Sequence, residues 1–234
     1  MQWTSQTLLL GLAWYVVFLF STTLHEAAHA WVAHRLGDST AYHGGQVTLN
    51  PLPHIRRELF GTVIMPILSF ALSGWMMGWA SAPYDPQWAA RHPRRAAWMS
   101  LAGPAANLLL VLVAGAAVRL GVRFGIFAPP PSITFSQLVD AGPGFGGLGI
   151  VVSILFTLNL VLFAFNLLPL PPLDGSGALG LVLGPALTLR YQEFIRQPAI
   201  AFVGLLAAWR LFGYVFSPLH SLALDLLYPG LLYR

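Results

Sequence analysis

The sequence contains no cysteine and no lysine, and only 9% of its 234 residues are charged. Without cysteine the chain can form no disulfide bond and offers no thiolate, so any metal site must use histidine or carboxylate ligands. Soluble domains keep about a quarter of their residues charged, so this composition excludes an ordinary soluble domain. The twelve arginines cluster at segment ends instead of forming one basic face, which favours membrane orientation over nucleic-acid binding.

Hydrophobic residues make up 56% of the chain and are concentrated in long runs. Four runs have the length and low charge of membrane spans: 7–31, 96–118, 147–168 and 198–216. Two further segments are ambiguous, because 61–80 is interrupted by proline and glycine, and 218–232 is short and contains an aspartate. We therefore expect an all-α polytopic membrane protein with about five to six membrane segments, folded as one membrane-embedded domain over residues 1–234.

The end of the first apolar run carries the sequence His-Glu-Ala-Ala-His at residues 25–29. On a helix, His25 and His29 are four residues apart and share one face, so both imidazoles can bind one zinc ion. Glu26 lies beside them, where its carboxylate can take a proton from water. A chance match at a helix end is the alternative, but an ionisable group at membrane depth is costly and marks a candidate functional site. The pattern predicts a metalloprotease that works inside the membrane.

A second polar segment follows the third apolar run and reads Asn-Leu-Leu-Pro-Leu-Pro-Pro-Leu-Asp-Gly over residues 166–175. Its prolines prevent a regular helix and leave backbone carbonyls without helical partners. Such a backbone is tolerated at membrane depth only inside protein or beside a watered cavity, where Asp174 would be well placed as the third metal ligand. Two histidines and a carboxylate leave the fourth position of tetrahedral zinc open. Taken alone, the segment is equally compatible with a simple turn at a helix exit.

These two motifs together resemble the site-2 protease family of intramembrane zinc metalloproteases. The Gly-Pro-Ala-Ala-Asn sequence at 103–107 is similar to a Gly-Pro-x-x-Asn segment of the family core, and the similarity covers most of residues 15–180. The resemblance implies one zinc ion that is held by His25, His29 and Asp174. It also implies that Glu26 is the catalytic base and that Asn166 contacts the substrate or the oxyanion.

The resemblance further implies hydrolysis of peptide bonds in or near transmembrane segments of membrane proteins. The expected partners are therefore a transmembrane protein or peptide substrate and the lipid bilayer, and no nucleic acid. The chain has no room for the PDZ or CBS domains of many relatives, so it is similar to the small prokaryotic members of the family.

The ambiguous segment 61–80 decides whether the metal site can form, because ligands from two helices must lie at one depth. A full crossing by this segment would bring Asp174 to the membrane side opposite His25, whereas a re-entrant or interfacial element keeps both on one side. That topology also gathers most arginines on the same side: Arg35, Arg56, Arg57, Arg91, Arg94, Arg95, Arg190 and Arg196, against Arg119 and Arg123. The positive-inside rule then predicts an external N-terminus in the cell membrane and an active site nearer the cytosolic face.

Other polar residues carry weaker signals. Asn107 is expected either to bond across helices or to contact the substrate. Val47 and Thr48 are interpreted as part of a short β-hairpin near 43–50, whose edge would pair with an unwound substrate helix. The remaining histidines of the polar and interfacial stretches are more typical of loop or surface positions than of ligands: His34, His43, His54 and His92.

Two alternatives to an intramembrane protease remain. A non-enzymatic metal-binding membrane protein, such as a transporter, would explain buried histidine and aspartate but gives no reason for Glu26 next to His25. A pseudoprotease that binds transmembrane helices without cutting them fits the fold but not the intact ligand set. The natural substrate, the cleavage position and the oligomeric state are left open by the sequence.

Overall fold

Helices make up most of the structure, a computed structural model that describes residues 4–231 and 233. In chain order the helices are α1 (Ser5–Arg35), α2 (Thr40–His43), α3 (Leu52–Arg57), α4 (Met65–Ser73), α5 (Pro86–Arg91), α6 (Pro93–Arg123), α7 (Gly146–Asn166), α8 (Asp174–Ala178), α9 (Pro185–Ile195) and α10 (Pro198–Leu227). A π-helical turn, Phe60–Ile64, leads into α4, and a 3-10 turn, Leu179–Leu181, follows α8.

Four helices among the described residues are long and apolar enough to cross a membrane, namely α1, α6, α7 and α10. They contain the runs 7–31, 96–118 and 198–216 that the sequence predicts as spans, and α7 covers the run 147–168 except for its last two residues. The ambiguous segment 218–232 belongs, as far as Leu227, to α10, which continues through Pro218. Proline removes one helical hydrogen bond, yet membrane helices tolerate it because neighbouring groups satisfy the freed carbonyl.

The segment 61–80 doubles back on itself. Its helix, α4, ends at Gly74, which has a left-handed conformation with φ 79°, and the chain then returns without regular structure. The Trp79 amide donates to the Gly61 carbonyl over 3.1 Å, so the two ends of the segment lie side by side. Gly61 and Gly78 permit this approach, because a Cβ at either position would overlap a backbone carbonyl at the other end of the same segment. The path is that of a re-entrant or interfacial element.

The predicted β-hairpin near 43–50 is wrong. The only strands among the described residues are β1 (Phe127–Ala128) and β2 (Asp140–Ala141), which pair antiparallel. Residues 44–50 form turns, in which Gly45 has a positive φ of 71°. The Asn50 amide donates to Thr48 Oγ1, and the Leu52 amide donates to Asn50 Oδ1. These local side-chain bonds use backbone donors that a hairpin ladder would need.

The core lies between α1, α6 and α7. One apolar cluster joins α6 and α7 to the C-terminal end of α10: Val111, Ala114, Val118, Phe127, Leu138, Val139, Val152, Phe156, Leu160, Leu224, Leu227 and Tyr228. A second cluster joins α1 and α7 to the doubling-back segment: Trp14, Val17, Phe18, Phe70, Met76, Ile154 and Leu158. Because these three helices pack closely, the buried polar side chains on their facing surfaces, Ser21, Asn107 and Asn159, form hydrogen bonds with one another.

Candidate active site

Three side chains that could bind a metal converge between α1 and the start of α8. His25 Nε2 lies 3.0 Å from His29 Nε2 and 3.1 Å from Asp174 Oδ2, and the distance from His29 Nε2 to the same oxygen is 3.3 Å. The side chains of both histidines are 9% exposed. This is the one such group of three or more found among the described residues, and it is the set that the sequence predicts.

The hydrogen bonds behind each imidazole leave Nε2 free to bind a metal. His29 Nδ1 lies 2.7 Å from the Met99 backbone carbonyl, which can only accept, so Nδ1 carries the proton. His25 Nδ1 donates to Asn107 Oδ1 over 2.5 Å in the same way. Each Nε2 atom therefore has a free lone pair. The two Nε2 atoms face each other and Oδ2 of Asp174. Three converging acceptors need a cation between them.

The space for that cation exists because residue 103 is glycine. A Cβ at Gly103 would overlap Nε2 of both His25 and His29. Helix α6 therefore approaches the two rings directly with its backbone, and the next residue, Pro104, lies inside the helix. In the sequence, Gly103 is visible only as part of a family-like segment; its function in the site follows from the packing of α6 on α1.

The proline-rich segment and its neighbours hold Asp174 in place. Asp174 is the first residue of α8. Gly175, which follows it, lies so close to the Leu167 carbonyl that a Cβ there would overlap it, and Gly204 of α10 makes the same kind of contact with the Pro171 carbonyl. The irregular backbone is thus packed between α7 and α10, as expected for such a segment at membrane depth.

The residues fit a zinc ion. Zinc bonds of about 2.0–2.1 Å in tetrahedral geometry separate the ligand atoms by about 3.3 Å, close to the observed 3.0–3.3 Å. Asp174 Oδ2 is buried against the two Nε2 atoms, and with both rings protonated on Nδ1 no donor of the described residues reaches it, which would be costly without a cation. Two imidazoles and one carboxylate are also a donor set of hydrolytic zinc sites, in which the fourth position is open.

Glu26 lies beside the three ligand atoms without being one of them. Its residue is 6% exposed, and Oε1 is 4.0 Å from His25 Nε2. A carboxylate this close to the ligand atoms would be within reach of a group bound by the metal, as a general base must be. The helix that places His25 and His29 on a shared face thus also places Glu26 next to the candidate metal site.

The other candidate residues have different surroundings. Asn107 is fully buried, and its amide atoms are used by His25 and by Asn159 of α7, which favours a bond between helices over substrate contact. Asn166 donates to the Leu162 carbonyl of its own helix, and its contact with substrate or oxyanion stays a prediction. Val47 and Thr48 lie in the turns described above, so they offer no strand edge.

His54 is not the loop or surface histidine that the sequence predicts, since it is 1% exposed. Its Nε2 donates to the Thr48 carbonyl over 3.3 Å, and its Nδ1 is buried without a partner among the described residues. Burial lowers the pKa of His54, against opposing effects of the Thr48 carbonyl and of the negative charge of Glu26. His54 therefore links α3 to the turn that contains Thr48.

Curated proteins of known sequence are similar to this chain. It is 37% identical over 161 residues to "Putative zinc metalloprotease YwhC" of Bacillus subtilis, an alignment that covers 68% of this chain and 64% of that protein. It is 33% identical over 168 residues to "Putative zinc metalloprotease Rip2" of Mycolicibacterium smegmatis, covering 72% and 56%. The protein of the same name from Mycobacterium tuberculosis is 33% identical over 186 residues, covering 80% and 62%. The chain is a homologue of these proteins, which are named putative zinc metalloproteases.

This homology confirms the resemblance that the motifs indicate. The alignments span between 56% and 64% of the length of these three relatives. No family model and no solved structure matches the chain. The names of the relatives agree with the donor set of the site, because both point to zinc.

Proposed function

We propose that the protein is an intramembrane zinc endopeptidase that hydrolyses peptide bonds in or near transmembrane segments of membrane proteins. The observation that carries this proposal is a buried carboxylate, Glu26, beside three converging ligand atoms on a helix apolar enough to cross a membrane. The names of the relatives support the protease assignment.

The chemistry is divided between the metal and the residues around it. Zinc held by His25, His29 and Asp174 would supply a Lewis acid that acidifies water and stabilises developing negative charge. Glu26 takes a proton from the attacking water and later passes it to the leaving amine. Asn166 adds a hydrogen bond to the oxyanion through its amide group. The apolar helices around the site exclude bulk water, which strengthens each of these interactions.

The proposed substrate is a single transmembrane helix whose end unwinds at the site. A peptide bond inside such a helix is protected by its own hydrogen bonds, so the substrate must lose helical structure before water can attack. In the proposed orientation, the end of α1 that carries His25 and His29 and the end of α7 that leads to Asp174 face the cytosol. The arginine distribution and the doubling back of 61–80 support this orientation.

Transport of metal ions is the main rival function, and the distribution of ionisable groups favours proteolysis. A transporter needs polar groups along a path through its spans. Among the described residues of the four long helices, the buried histidine, carboxylate and arginine side chains are His25, Glu26 and His29, which gather at one level of α1. Transport also gives no function to a carboxylate that adjoins the ligands without being one of them.

Cleavage of a model single-span peptide by the purified full chain in liposomes tests the proposal. We expect cleavage that a zinc chelator abolishes and that added zinc restores. Glu26→Gln should keep one bound zinc per chain but lose cleavage, whereas His25→Ala and Asp174→Ala should lose both. Glu193→Gln, which changes an exposed glutamate of α9, is the matched control and should cleave normally.

Full activity of Glu26→Gln would disprove this mechanism. Zinc uptake into vesicles without any cleavage would instead support the transporter. Binding of the peptide by the zinc-loaded protein, with no cleavage under any condition, would identify a pseudoprotease.

A further inference from the structure

A chain of buried amides leads away from the metal site through the centre of the helix bundle. Asn159 lies on α7, is fully buried, and accepts a hydrogen bond of 2.7 Å from Asn107 Nδ2 on α6. Its own Nδ2 donates to Ser21 Oγ of α1 over 2.9 Å and to the Leu155 carbonyl over 2.7 Å. Because Asn107 Oδ1 faces His25, the chain connects α7, through α6, to a metal ligand of α1.

The Leu155 carbonyl determines the direction of every bond in this chain. A carbonyl can only accept, so Asn159 must turn its NH2 group towards Leu155, and its oxygen must face Asn107. Asn107 must then present its NH2 group to Asn159 and its oxygen to His25. His25 consequently carries its proton on Nδ1, and its Nε2 lone pair faces the metal. A reversed Asn107 would offer NH2 to His25 and move the imidazole proton to Nε2, where it would block the metal.

We infer that Asn159 is a positioning residue, which acts through Asn107 to hold His25 in the tautomer that binds metal. The inference rests on the proposed zinc site, but it concerns metal binding and not peptide cleavage. Polar groups behind a metal-binding histidine orient the ring and fix its tautomer. Asn159 gives no signal at the level of motifs, because it stands alone in an apolar run. A buried amide in an apolar helix lowers stability unless it is hydrogen-bonded, and the bond from Asn107, which itself contacts the ligand His25, gives Asn159 a function.

Zinc affinity of the purified full chain, measured by competition with a fluorescent chelator, tests the inference. Asn159→Ala removes the acceptor that orients Asn107, and we expect affinity to fall about 10–100-fold, as for other groups behind metal ligands. Thr157→Ala is the matched control, since it truncates a buried polar side chain of the same helix that has no hydrogen-bond partner among the described residues. Its zinc affinity should match that of the wild type.

A second substitution separates positioning from general damage. Asn107→Asp replaces the reversible amide by a carboxylate, which can only accept from His25 Nδ1 and so fixes the tautomer without Asn159. In the Asn159→Ala background this change should restore zinc affinity to within about threefold, a coupling typical of residues in one network. Unchanged affinity in Asn159→Ala would overturn the inference. A loss that Asn107→Asp does not restore would also overturn it, because the role of Asn159 would then be structural only.

A measurement on the unsubstituted chain covers the case in which Asn159→Ala does not fold. In metal-free protein with 15N-labelled histidine, assigned by comparison with His25→Ala, the shifts of His25 should report a proton on Nδ1. A His25 Nδ1 that carries no proton would overturn the inference. A protein that binds zinc as described but never cleaves a peptide would contradict the proposed function alone.

Discussion

Helices α7 and α10 have similar composition but opposite surroundings. Both are apolar enough to cross a membrane, yet 56% of the most apolar stretch of α7 is buried in the protein, compared with 11% for α10. Helix α7 carries fully buried Ser153 and Asn159, whereas the buried residues of α10 are Gly204, Ala208 and, near its C-terminal end, Leu224 and Leu227. Apolarity therefore predicts membrane insertion for both helices, while buried polar residues distinguish the helix that builds the site from the one that supports it.

The largest loss of zinc affinity and of cleavage should come from a substitution at Gly103 of α6, a helix of the core. Gly103→Ala places a methyl group between the imidazoles of His25 and His29, whose Nδ1 bonds prevent the rings from moving aside. We expect zinc affinity and peptide cleavage to fall by at least about 100-fold. Gly115→Ala on the same helix is the control, because its Cβ would make ordinary contacts of 3.4 Å and longer. Equal effects of the two substitutions would contradict the described site.

The packing difference between the helices can be measured with two leucines. Leu160 of α7 is 2% exposed and Leu206 of α10 is 56% exposed. Leu160→Ala should lower the free energy of unfolding by about 2–5 kcal/mol, because it leaves a cavity in the core. Equilibrium unfolding in mixed micelles would give this value. A cost below about 0.5 kcal/mol, the range typical of surface positions, would show that α7 is not an inner helix.

Helix α10 should influence the site only where it contacts the proline-rich segment. Gly204→Ala introduces a Cβ that overlaps the Pro171 carbonyl, so α10 or the backbone before Asp174 must shift. We expect zinc affinity to fall by about 2–10-fold, less than for residues behind the ligands. Gly213→Ala has open space around its Cβ and should stabilise α10 slightly, since alanine favours helix over glycine. A chelator titration should therefore show weaker zinc binding for Gly204→Ala than for Gly213→Ala.

The smallest effect is expected on the exposed face of α10. Leu206→Ala should change the free energy of unfolding by no more than about 0.5 kcal/mol and leave zinc affinity unchanged. The micelle unfolding experiment used for Leu160→Ala measures both leucines under one condition. A cost similar to that of Leu160→Ala would mean that this face is covered by protein and would remove the contrast between the two helices.

The sequence was a good guide where a signal is local. The helical spacing of His25 and His29 predicts their shared face, and the cost of ionisable groups in lipid marks them as functional. Asp174 is predictable because the prolines before it exclude a regular helix. The predicted hairpin near 43–50 is wrong because the side chains of Thr48 and Asn50 accept hydrogen bonds from nearby backbone amides. These local bonds compete with strand pairing, and the residue types alone do not show which of the two forms. The polar residues around His54 predict a loop or surface position, whereas the structure buries it, because the polarity of neighbours in sequence does not determine burial in the fold.

The sequence by itself determined the four long apolar helices and the chemical type of the metal donors. Both follow from residue types and spacing within one segment, where length, apolarity and helical period act directly. Only the tertiary structure decided that Gly103 opens space for a cation, that Met99 and Asn107 orient the imidazoles, and that Asn159 stands behind them. These relations depend on which faces of distant helices meet. That is settled by packing and by the need to satisfy every buried polar group, not by the pattern of any one helix.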